Sequence, residues 1–147
     1  MLNFLRHGHG KMIYPNGFYY EGQWKMGDID GYGTLFSQDN SIIYRGMWKN
    51  GKYDGEGILY NSRQLKIDMN SNTRPLIYEK EVGAWKEFSG QFKNSKWEGN
   101  GKLFFTNGDY YTGEFKNNKA NGIGAYIAQD GRVWKGLWED NSFILSS

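Results

Sequence analysis

The sequence predicts an all-β fold, an antiparallel meander of tandem β-hairpins. Three observations carry this. An aromatic-x-Gly-x-aromatic frame recurs along the 147 residues. Inside each recurrence, aromatic residues alternate with small or polar ones at period two, the strand period rather than the helical one. A turn signal of Asn, Asp, Gly or Ser falls about every eleven residues, which leaves room for short strands and little else.

The frames align as follows. "YEGQWKMGDIDGYGTLF" opens residues 20–43, "YRGMWKNGKYDGEGILY" covers 44–60, "FSGQFKNSKWEGNGKLF" opens 88–110 and "YTGEFKNNKANGIGAYI" opens 111–133. "WKGLWEDNSF" is a truncated unit over 134–143. At the other end "HGHGKMIYPNG" matches "EGNGKLFFTNG", so 7–19 is a partial repeat, half a hairpin. The leading glycines Gly22, Gly46, Gly90, Gly113 and Gly136 are spaced 24, 44, 23 and 23 apart, so one interval holds an insertion, 61–87. In each complete unit a Gly-x-Gly pair starts nine residues after the leading glycine. Of the 21 glycines only Gly83 falls outside this register, which excludes a loose glycine-rich linker.

Within a unit the first strand ends at a two-residue signal: Met26-Gly27, Asn50-Gly51, Asn94-Ser95, Asn117-Asn118 and Asp140-Asn141. Most of these residues accept the positive φ of a tight hairpin turn. Units join at Asn16-Gly17, Asp39-Asn40, Asn107-Gly108 and Asp130-Gly131. Parity places Tyr44, Gly46 and Trp48 on one strand face and Gly55, Gly57 and Leu59 on one face of the next. The glycines therefore leave room for a ring to lie flat on the backbone. A ring half-covered in this way contributes at most about 2 to 3 kcal/mol. The insertion supports two readings, a protruding extended hairpin built on Leu65, Ile67 and Met69, or a flexible loop around its polar centre at Asn70 to Arg74.

Composition narrows the function. Aromatics make up 18% of the chain, proline occurs twice and mean hydropathy is -0.77, so stability must come from rings more than from an aliphatic core. A net charge of +2 with interleaved signs gives no strong pull on nucleic acid. No apolar run reaches 18 residues and no secretory signal opens the chain, so a cytoplasmic protein is expected. His7 and His9 share a strand face, but with no cysteine and no third histidine they fill repeat positions held elsewhere by Glu98 and Asn100, and no metal is expected. Asp28, Asp54 and Glu98 are likewise explained by repeat phase, and no cofactor or catalytic site is read.

The frame Y-x-G-x-W-x-x-G-x-x-x-G-x-G resembles MORN (membrane occupation and recognition nexus) repeats. Phe92 and Phe115 replace its Trp, Trp134 replaces its Tyr, and Ser95, Asn118 and Asn141 replace its turn glycine. The resemblance implies an elongated, twisted, open single sheet with an aromatic-lined groove. It also implies a non-catalytic scaffold that holds a protein partner within a larger assembly, in cytoskeletal, ciliary or membrane-junction settings. The partner-binding residues expected are Tyr20, Trp24, Tyr44, Trp48, Phe88, Phe92, Tyr111, Phe115, Trp134 and Trp138, with the competing reading that these rings only stabilise the sheet. Two other roles stand beside it: anionic-lipid binding through a stripe of Lys25, Lys49, Lys93 and Lys116, and regulation of an enzyme on another chain. An open sheet also exposes two edges, each able to pair with a partner strand or a second copy.

Overall fold

The computed structural model describes residues 7–61, 70–71 and 85–146. Alternating aromatic and polar residues form strands β1 (Gly8–Ile13), β2 (Tyr19–Lys25), β3 (Asp28–Phe36), β4 (Ile42–Lys49) and β5 (Lys52–Tyr60). After the short β6 (Asn70–Ser71) follow β7 (Trp85–Lys93), β8 (Lys96–Phe105), β9 (Tyr110–Lys116), β10 (Lys119–Ile127), β11 (Val133–Glu139) and β12 (Ser142–Ser146). Apart from β6, the strands pair antiparallel in chain order in a single sheet, with β5 directly beside β7. The expected meander of hairpins is thus the observed one.

Two features differ from expectation. The sheet takes up Trp85 to Glu87, which the repeat spacing had left in the insertion, because Trp85 is buried edge-on against Trp97 at 5.0 Å. Asn70 and Ser71 pair in parallel with Ser142 and Phe143, so the C-terminal edge is partly covered rather than open. The remainder of the expected inserted hairpin lies outside the described residues. Asn61 closes the base of the insertion, its side-chain amide donating to the Trp85 carbonyl at 2.7 Å.

All five hairpin turns place both central residues at positive φ, including Asn94 (49°) and Ser95 (66°), so each is a mirror-image turn that matches strand twist. The departures from glycine at the second position have a use. The N–H of that residue donates to the preceding repeat in four turns: Gly51 to Ile29, Ser95 to Tyr53, Asn118 to Trp97 and Asn141 to Ala120. Where the residue carries a side-chain oxygen, that oxygen accepts the N–H of the same neighbour, at 3.1, 2.8 and 2.7 Å for Tyr53, Trp97 and Ala120. The turns between units are closed by Asn16, Asp39, Asn107 and Asp130, each accepting the N–H two residues on.

The two glycines of each Gly-x-Gly pair do different jobs. The first (Gly31, Gly55, Gly99, Gly122) has φ between 88° and 112° inside a β-bulge of its hairpin, where three residues oppose one. Only the second makes room for a ring. A Cβ on Gly33, Gly57, Gly101 or Gly124 would stand under 3.0 Å from the ring of Tyr20, Tyr44, Phe88 or Tyr111 respectively. These second glycines pair with the leading ones, giving an unbroken row across ten strands from Gly10 through Gly22, Gly33, Gly46, Gly57, Gly90, Gly101, Gly113 and Gly124 to Gly136. The bulge turns one carbonyl toward the ring, and the tyrosine hydroxyl donates to it: Tyr20 to Gln23 at 2.8 Å, Tyr44 to Met47 at 2.7 Å, Tyr111 to Glu114 at 3.1 Å.

Phe88 occupies the same position over Gly101 without a hydroxyl. Phe88→Tyr should therefore add the missing bond to the Gln91 carbonyl and stabilise the chain by about 1 kcal/mol. The check is a higher urea midpoint at unchanged slope, and an unchanged or lower midpoint contradicts it.

Candidate partner-binding groove

The first aromatic of each complete unit lies flat on the glycine row, so its face is occupied by backbone. Its edges meet other rings. Tyr44 is edge-on to Trp48 of its own unit at 5.1 Å and to Phe92 of the next at 5.2 Å. The same pair of contacts surrounds Tyr20 (Trp24, Trp48), Phe88 (Phe92, Phe115) and Tyr111 (Phe115, Trp138). A third ring stacks on top where the sequence supplies one, Tyr53 on Tyr44 at 3.9 Å and Trp97 on Phe88 at 4.7 Å. Trp48 and Trp138 also donate their indole N–H to the ladder carbonyls of Gly33 and Gly124 in the preceding unit. The result is a continuous herringbone along one face of the sheet.

This array fixes where the ten expected partner-binding rings stand. Tyr20, Trp24, Tyr44, Trp48, Phe88, Phe92, Tyr111, Phe115, Trp134 and Trp138 all belong to the core cluster, none more than 8% exposed. They form the floor of the groove, with most of their surface used against glycine backbone and each other. Accessible apolar surface in the groove lies instead on a depression of about 670 Å³ lined by Tyr14, Pro15, Phe18, Leu35, Trp48 and Tyr53. Tyr14 and Phe18 come from the first inter-unit turn, where the frame's aromatics do not fall, so the repeat pattern gave no reason to single them out.

Asp109 was also not legible as special. It is the one buried charged residue among those described, 1% exposed. Its carboxylate accepts the Tyr126 hydroxyl at 2.5 Å and the Gln129 N–H at 2.8 Å, tying two successive inter-unit turns together. That is a structural role, with its oxygens engaged. Lys25, Lys49, Lys93 and Lys116 are exposed, each the last residue of its strand before a hairpin turn. His7 and His9 are exposed, and no group of three or more metal-ligating side chains occurs among the described residues.

Burial pushes the Tyr20 and Tyr53 hydroxyls up to about 12, and raises Tyr44, Tyr111 and Tyr126 further, the last with help from Asp109. The folded state therefore holds protons that the unfolded chain releases near pH 10. Stability from these rings is complete below about pH 10 and is lost as pH climbs through 12. Phenolate absorbance of the buried tyrosines should rise together with loss of the β-sheet circular dichroism signal. Full titration with the sheet intact contradicts the buried array.

The MORN repeat family profile matches five stretches, residues 5–18, 20–42, 44–62, 88–110 and 111–131, together more than half of the chain. The matched segments build most of the hairpins and of the ring array, and the last hairpin with Trp134, Trp138 and Phe143 follows them. This chain belongs to the MORN repeat family.

Proposed function

We propose that the chain is a non-catalytic scaffold module that seats an apolar side chain of a protein partner in the depression at Tyr14, Phe18, Leu35, Trp48 and Tyr53. MORN repeats are consistent with a protein-binding or membrane-associated module. The observation that carries the protein reading is this depression. Tyr14, Pro15, Phe18, Leu35, Trp48 and Tyr53 line it on a face whose other rings are covered by one another. A rigid floor of interlocked rings presents it without any ordering cost in the core. Membership of a larger assembly, in a cytoskeletal, ciliary or membrane-junction setting, is part of the proposal and rests on the family.

Trp48 and Tyr53 hold the sheet together, so replacing them tests folding rather than binding. Tyr14 and Phe18 are half-buried turn residues and the better probes. A Tyr14→Ser/Phe18→Ser variant with a near-native thermal midpoint should lose the partner recovered by the wild-type chain in parallel pull-downs, at least tenfold by quantitative mass spectrometry. Undiminished recovery by the folded variant rules out the depression as the binding site.

A further inference from the structure

The hairpin-turn edge of the sheet carries a second surface. In the three central hairpins the strand-end residues directly opposite each other are both lysine: Lys49 with Lys52, Lys93 with Lys96, Lys116 with Lys119. The flanking hairpins differ, pairing Lys25 with Asp28 and Glu139 with Ser142. All six lysines are exposed, and among the described residues none has an ion-pair partner. One third of the chain's 18 basic residues therefore stand on three adjacent turns of a protein with net charge only +2.

Folding alone does not account for this. Like charges directly opposite across an antiparallel pair destabilise it, and the Lys25–Asp28 hairpin shows the stabilising alternative in the same frame. Asp54, Glu56 and Glu98 line one depression with Lys49, Lys52 and Lys93 and offset part of the lysine charge, so the six lysines of the edge stand against these three carboxylates. Asp54 and Glu98 each direct an oxygen to the N–H that opens the next turn, Asn94 at 3.4 Å and Asn117 at 2.6 Å, rather than to a lysine.

We infer that this lysine edge binds an extended, acidic protein segment rich in Glu or Asp. Two features select that partner over an anionic bilayer. Adjacent strands rotate by roughly 20 to 25°, so from the first lysine hairpin to the third the edge turns through roughly 80 to 100°. A flexible chain can follow that curve, whereas a flat surface meets one or two turns at a time. The turn tips are Asn50-Gly51, Asn94-Ser95 and Asn117-Asn118, with no apolar side chain to enter a membrane. Successive lysine pairs are two strands apart, roughly 9.6 Å, close to the roughly 9.3 Å per turn of a polyproline-type extended chain. An acid at every third position of such a segment meets each pair in turn.

The test is fluorescence anisotropy with a fluorescein-labelled twelve-residue glutamate peptide at 20 and 150 mM salt. Lys52→Gln/Lys96→Gln/Lys119→Gln should weaken binding at least tenfold at 20 mM salt. Lys11→Gln/Lys102→Gln/Lys135→Gln, which removes the same charge from strand positions away from the hairpin turns, should change it less than twofold. The edge variant should also melt at the same or a higher temperature, since like-charge opposition is relieved. Absence of peptide binding by the wild type, or equal weakening in both variants, overturns the inference. Lysine-dependent binding to vesicles of phosphatidylcholine and phosphatidylserine (4:1) without peptide binding also overturns it, and assigns the edge to membranes. Groove variants at Tyr14 and Phe18 should leave peptide affinity unchanged, so this surface stands or falls apart from the groove.

Discussion

A tyrosine or phenylalanine ring lying flat across a pair of cross-strand glycines is the contact on which each complete repeat is built. A side chain at either glycine blocks it. Each leading glycine faces the backbone of the second glycine opposite it and each second glycine faces the ring, so an added Cβ meets an atom under 3.0 Å away at every ladder position from Gly22 to Gly124. Because the ring sits on the sheet rather than standing up from it, its edges are free to receive the second aromatic of its own unit and of the next. The herringbone follows from that orientation, and so does the burial of a single-layer sheet that has no second layer to cover it.

The same geometry divides labour between the faces and edges. The rings that carry the fold are nearly spent as a binding surface, which leaves contact with partners to residues outside the strict frame. On the proposed function Tyr14 and Phe18 supply it in the groove, and on the further inference the lysines supply it at the hairpin edge. Stability and recognition then draw largely on separate residues. The exceptions are Trp48 and Tyr53, which line the depression and belong to the array at once.

Much of the fold was legible because repeats print it several times. Period-two aromatics, turn residues and the phase of 20 glycines fixed strands, turns and faces, and the register rows show the glycines meeting as the phase implied. Four things were not. The first glycine of each pair looked like room for a ring, but spacing cannot distinguish a steric need from a positive φ in a bulge. Ser95, Asn118 and Asn141 showed only as replacements of the turn glycine, because their second hydrogen bond goes to a neighbouring repeat that a local reading does not see. The ten aromatic positions were visible, yet their availability to a partner was not, since pattern gives the face of a ring and not what its edges touch. Asp109 escaped notice for a related reason, its partners Tyr126 and Gln129 lying across an inter-unit boundary.

The dependence of the sheet on ring-over-glycine contact is tested most directly by a double-mutant cycle at Gly57 and Tyr44, read by urea unfolding. Gly57 has no positive φ, so alanine there is opposed by the Tyr44 ring and by little else on its own strand. Gly57→Ala should cost about 2 to 3 kcal/mol in the native background and under about 1 kcal/mol once Tyr44→Ala has removed the ring, a coupling of at least about 1 kcal/mol. Equal costs in the two backgrounds would contradict the account.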